Sequence, residues 1–160
     1  MPKTNLIAEP RKQEIVVTRV FDAPRARVFK TMTDPALIPD WWGPKYLTTT
    51  VEQMDVRPGG VWRFVQRDAD GNTYAFHGVY HEVVPPERLV YTFEFEGTPG
   101  HVLLETVTFE EQNGQTKVTD QSVFQSVKDR DGMLQSGMEQ GAAESEDRLA
   151  ALLAAPAKTK

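Results

Sequence analysis

Four polar side chains fall where the sequence pattern calls for apolar ones. Between Tyr46 and Phe124 polar and apolar residues alternate. In that phase Gln66, Glu105, Asp120 and Ser122 share a face with Trp62, Phe64, Phe76, Tyr80, Tyr91 and Val107. A carboxylate on an apolar face is costly, so each one needs a partner, a proton or a wet cavity. Two readings of Glu105 and Asp120 stay open. They form an acid–base pair with one raised pKa, suited to general acid–base chemistry. Alternatively, they are structural groups that pair with Arg or Tyr hydroxyls or reach water at one end of a cavity. No nucleophile accompanies them: cysteine is absent, there is no G-x-S-x-G elbow, and Ser136-Gly137 lies within an expected helix.

The histidines do not assemble a metal site. His77 and His81 would suit a shared zinc on a helix, but they fall on an expected strand. There, four residues span about 13 Å, too far for two bonds to one zinc ion. His101 lies in a Gly-Pro-flanked turn. No metal and no cofactor is therefore assigned. Gly59-Gly60 precedes a strand rather than a helix, so it is a turn and not a phosphate-binding loop.

Trp41, Trp42 and Trp62 stand beside Pro39, Gly43, Pro44, Pro58, Gly59 and Gly60. Adjacent tryptophans cannot both enter one core from a regular helix, and Gly43-Pro44 ends any helix there. Trp62 is expected to face the interior beside Phe64. Trp41 and Trp42 are expected to close one end of the cavity, with Trp42 as the inward member.

The elements that must position these residues follow from period and punctuation. Residues 1–13 are a loose or edge-lying arm, and Glu14 to Phe21 is a β-branched strand. Asp22 is a candidate N-cap for a short helix whose buried stripe is Val28, Phe29 and Met32. A second helical turn, Pro35 to Ile38, ends at Pro39. Six strands follow near 46–56, 61–67, 74–84, 88–96, 102–111 and 115–125, joined by short turns such as Asn113-Gly114, which imply an antiparallel meander. Ser126 with Asp129 resembles a capping box, and a long helix is expected to run from there to about Ala154. The tail over 155–160 is expected to be disordered. Gly137, Gly141 and Ser145 form a small-residue stripe on that helix, so either the sheet approaches it closely or a space is left between them.

Length and charge narrow the class. The 160 residues suit one domain, with 39% hydrophobic and 26% charged residues. A net charge of −5 with no basic cluster opposes nucleic-acid binding. No apolar run approaches the roughly 20 residues of a membrane span, and the N-terminus lacks a secretory signal. A soluble, cytoplasmic protein is the default expectation.

FDAPRARVFKTMTDPALIPDWWGP, DVRPGGVWRF, the Asp70-Gly71 turn, GVYHEVVPPERLVYTFEF and a helix ending DRLAALL occur in that order. Together they resemble the SRPBCC (START-like) superfamily and, within it, the activator-of-heat-shock-ATPase-homologue family, over roughly residues 14–154. The resemblance implies an α+β helix-grip fold: a curved antiparallel sheet, in the order β-α-α-β6-α, wrapped around a long C-terminal helix with an internal cavity. It also implies a hydrophobic ligand. A Gly-Trp common near that helix is Gly137-Met138 here, which widens or softens the cavity.

The expected function is non-catalytic binding of a small apolar or lipid-like ligand. Trp42, Trp62, Phe64, Phe76, Tyr80, Tyr91, Met133 and Met138 would form the wall, and Gln66, Glu105 and Asp120 would orient the ligand. One alternative is a co-chaperone-like role in stress response, with an exposed tryptophan edge and an outward His77/Val79/His81 face meeting a chaperone ATPase. That outward face also suits a homodimer. The other alternative is a cyclase or hydrolase using Glu105 or Asp120 as general base.

Overall fold

The alternation between Tyr46 and Phe124 folds as six consecutive antiparallel strands, and an earlier strand docks beside the last of them. The structure, a computed structural model, describes residues 3–155. Its strands are β1 (Asn5–Ile7), β2 (Glu14–Phe21), β3 (Thr48–Met54), β4 (Val61–Arg67), β5 (Thr73–Val84), β6 (Arg88–Phe95), β7 (Val102–Gln112) and β8 (Gln115–Val123). They form one sheet in the order β1-β2-β8-β7-β6-β5-β4-β3. The helices are α1 (Arg25–Met32), α2 (Ile38–Trp41), α3 (Val127–Gln135) and α4 (Met138–Ala154). The fold is α+β and of the helix-grip type. The N-terminal arm contributes β1, which pairs with β2 from Asn5↔Thr18 to Ile7↔Val16 at the sheet edge. The expected tail lies outside the described residues except for Ala155.

The core sits between the concave face of the sheet and the helices. Leu149 and Leu153 of α4 pack with Phe21, Phe109 and Val118 of the sheet and Val28 and Phe29 of α1. Each such leucine stabilises the docking by about 1.5–3 kcal/mol. A second cluster of Ile15, Val17, Leu103 and Phe124 holds Met133 and Met138 at the α3–α4 junction.

Local expectations fail at four places. Asp22 does not cap α1: Pro24 occupies that position, and Arg25 N donates instead to Glu111 Oε1 of β7 at 2.7 Å. The second helical turn begins where it was expected to end. Pro39 sits in the first turn of α2, where its missing N–H costs nothing, while Asp34 accepts from Leu37 N and Ile38 N before it. The long C-terminal helix is two helices. Ser126 caps α3 as expected, accepting from Asp129 N at 3.0 Å, but Gly137 takes φ 86° and breaks the run after Ser136. This is the left-handed residue that commonly ends a helix, so Gly137 carries no interior-helix penalty. No atom lies within 4 Å of a Cβ built at Gly137 or Gly141, so the stripe does not mark a close sheet approach.

The fourth departure concerns alternation. Bulges between Val51 and Gln53 and between Tyr80 and Glu82 shift the phase of β3 and β5. Thr49 is therefore buried, and Val83, which strict alternation would put on the outward face with His81, packs against the core instead. Such bulges bend and twist their strands.

Candidate functional site

A cavity of about 330 Å³ lies between the sheet and the helices. It is lined by all eleven side chains singled out in the sequence: Trp42, Trp62, Phe64, Gln66, Phe76, Tyr80, Tyr91, Glu105, Asp120, Met133 and Met138. A wider opening of about 790 Å³ adjoins it, sharing Gln66, Phe76 and Met133, with Tyr46 and His101 at its rim.

The aromatic wall is built from β4, β5 and β6 around Trp62. This indole is 3% exposed and donates its N–H to Thr92 O at 3.2 Å. To reach Thr92 on β6 it must lie across β5, over Gly78, its register partner. A Cβ at Gly78 would stand 2.6 Å from Trp62 Nε1 and would also collide with the Thr92 carbonyl. Gly78 is thus the gap that admits the indole. Trp42 meets Phe64 edge-on at 5.1 Å and Phe76 at 5.3 Å between ring centroids. Such offset geometries are the favourable ones for aromatic pairs.

Both adjacent tryptophans enter the core. Trp41 is only 7% exposed, and Trp42 packs half-buried against the same cluster. Trp42 faces the cavity as expected, but the expected exposed tryptophan edge is absent, because Trp41 is buried as well. Trp41 closes α2, whereas Trp42 leaves the helix with ψ 120°, so the two side chains need not diverge as they would within one helix. Helix α4 clamps the segment. Ser145 Oγ donates to Trp41 O at 3.0 Å and accepts from Gly43 N at 3.2 Å, and Arg148 donates to Gly43 O at 2.8 Å. Gln66 is 4% exposed and donates to Thr49 Oγ1 at 3.4 Å, which in turn donates to Trp42 O at 3.1 Å.

The polar end is carried by β6, β7, β8 and α4. Glu105 lies opposite Tyr91 on one side and Ser122 on the other, and Asp120 is its diagonal neighbour, paired with Val107. Both carboxyls keep part of their surface exposed, and both line the cavity. Burial pushes Glu105 well above the usual carboxyl range, the charge of Asp120 adds to this, and a hydrogen bond with Ser122 opposes it. Burial also raises Asp120, while its hydrogen bond with Glu105 works the other way. With both groups ionised there is no donor between them and Asp120 Oδ1 is buried without a partner. One proton held by Glu105 supplies that donor. Tyr91 is likewise pushed up, first by burial and then by Glu105 and Asp120.

Three charged residues of α4 also contribute: Glu146, Asp147 and Arg148. The run Glu144, Glu146, Asp147, Arg148 has the composition of a solvated face, yet Glu146 lines the cavity. Burial raises its pKa, opposed by the hydrogen bond that Thr4 donates at 2.6 Å and by the Arg19 charge. Asp147 binds the buried Arg19 at 2.6 Å, and Arg148 holds the tryptophan segment. The helical spacing of Ala142, Ser145, Glu146, Leu149 and Leu153 was the available signal. On the outer face, His77 is held by Glu96 at 2.9 Å and Glu94 at 3.4 Å. Glu96 is pulled down to about 2, chiefly by its hydrogen bond with Arg63.

The family described as "Activator of Hsp90 ATPase homolog 1-like protein" matches residues 22–154. The chain belongs to this family. Solved structures share the fold of this activator-homologue domain over nearly its whole length. A Mycobacterium smegmatis protein is 27% identical, with a TM-score of 0.87 over 98% of this chain and 100% of its own. An Arthrobacter aurescens protein is 26% identical, with a TM-score of 0.87 over 96% of this chain and 93% of its own. A Chromobacterium violaceum protein is 28% identical, with a TM-score of 0.79 over 88% and 96%. No curated protein matches. Among the described residues, no helix of this family member is long and apolar enough to cross a membrane.

Proposed function

We propose that this activator-homologue domain binds a small apolar or amphipathic molecule in the cavity between sheet and helices, without transforming it. The observation that carries this reading is the division of the cavity wall. Aromatic and methionine side chains form most of it, and the carboxyls cluster at one end. Sites for small molecules have this composition: a largely apolar enclosure with a few placed polar groups that orient the occupant. Native mass spectrometry of freshly purified protein tests it by showing any retained molecule and the subunit count. The expected result is a bound species of a few hundred daltons or, if the protein is empty, a rise in melting temperature with apolar probes. A protein that is empty and that no apolar probe stabilises would end this reading.

One observation favours a second reading. Glu105 and Asp120 are neighbouring cavity carboxyls, both raised above their ordinary range, which is the arrangement of a general acid and base. If the recovered molecule is consumed by the protein, and Glu105→Gln abolishes that turnover, the site is an enzyme's.

A further inference from the structure

The polar end of the cavity gathers three carboxyls with no cation on its lining. Glu105 from β7, Asp120 from β8 and Glu146 from α4 all line the cavity, and among the described residues no lysine, arginine or histidine does. The groups facing this end from the neighbouring strands are Tyr91 on β6, Tyr80 on β5 and Arg19 on β2. Arg19 is already committed. Its Nη1 binds Asp147 at 2.6 Å and its charge acts on Glu146, whereas neither Glu105 nor Asp120 is lowered by any cation. Asp120 Oδ1 stays buried and unpartnered when both carboxyls are ionised. Next to the pair, Tyr91 stands at 90° to Trp62 with centroids 6.1 Å apart, and Tyr80 stands 5.8 Å from Tyr91. Ring faces at such a site favour a cation.

We propose that the cavity selects amphipathic cations, seating an ammonium group between Glu105 and Asp120 and its apolar body against the aromatic wall. This rests on the cavity-binding reading above and specifies its ligand class. A primary ammonium brings three donors and one positive charge to a pair that lacks both. It does what the shared proton does in the empty site, so binding releases that proton. An alcohol brings one donor and no charge. A carboxylate adds a further negative charge beside three carboxyls, with no cation on the lining to receive it. The cavity of about 330 Å³ has room for about ten water-sized groups at the ~30 Å³ a water molecule takes up in the liquid, so an octyl chain is a fitting body.

The test titrates the full chain with octylammonium, octan-1-ol and octanoate below their micelle-forming concentrations, read by tryptophan fluorescence from Trp42 and Trp62. Octylammonium is expected to bind about tenfold or more tighter than octanol, with octanoate weakest, because charge-assisted bonds are the strong ones. Its affinity should rise from about pH 6 to about pH 8, with protons released on binding, as linkage to the pair requires. Glu105→Gln and Asp120→Asn should each pull the ammonium-to-octanol ratio towards one. If a variant does not fold, the pH series on the parent protein decides. Octanol or octanoate binding as tightly as the amine, or an amine affinity flat with pH, overturns the cation proposal and leaves the cavity reading standing. Failure of all three to bind overturns both.

Discussion

Replacing Gly78 by alanine tests whether the packing of Trp62 sets the cavity wall. The new methyl would meet the Thr92 carbonyl and lie 2.6 Å from Trp62 Nε1, so indole and strand cannot both stay in place. Overpacking of this kind costs about 1–3 kcal/mol. The Trp62–Thr92 hydrogen bond of 3.2 Å is lost with it, at about 0.5–1.5 kcal/mol. The stiffer unfolded chain gives back about 0.4–1 kcal/mol. The net expectation is a destabilisation of about 2 kcal/mol, or a fall of about 4–8 °C in melting temperature for a domain of this size. Circular dichroism reads both parts of the argument, since the near-ultraviolet signal of the Trp42–Trp62 cluster should also change. Gly132→Ala is the control: nothing lies within 4 Å of its Cβ, and as a helix position it should gain up to about 1 kcal/mol. If Gly78→Ala melts with the parent and keeps its aromatic signal, the indole is not held as described.

Two further perturbations address the polar end and the clamp. The Glu105 and Asp120 carboxyls are raised in the folded state. Their contribution to stability is therefore full below the ordinary carboxyl range and is lost as pH rises through their folded values. Glu146, also raised, has the same sign. The melting temperature should thus decline from about pH 5 to about pH 8, and Glu105→Gln should make that decline shallower; an unchanged slope would show that the pair does not share a proton. Ser145→Ala removes the bonds to Trp41 O and Gly43 N, at about 1–2 kcal/mol. It should also shift tryptophan emission to the red as the Trp41–Trp42 segment loosens, and an unaltered spectrum would mean that α4 does not hold it.

What the sequence made legible, and what it hid, divides by the range of the interactions involved. Period-two alternation is a property of each strand, so the six-stranded meander and its inward residues could be read directly. The cap of α1 could not, because its acceptor, Glu111, lies 86 residues away and only the folded sheet brings it near. The tryptophan pair was hidden for a different reason: adjacent side chains diverge within one regular helix, but here the helix ends between the two residues. Glu146 was hidden among charged neighbours until the break at Gly137 fixed the phase of α4.

The offset of Glu105 from Asp120, by contrast, was present in the sequence. Asn113 and Gly114 both take positive φ, 55° and 78°, as a two-residue hairpin turn of the I′ type demands. That turn pairs Gln112 with Gln115 and fixes every later pair on β7 and β8, including Glu105 with Ser122 and Val107 with Asp120. A one-residue change in the turn would slip this register. Glu105 would then no longer lie diagonal to Asp120, and the two carboxyls would lose the geometry in which they share a proton. The chemistry of the cavity's polar end is thus set by an Asn-Gly turn at the far end of the hairpin.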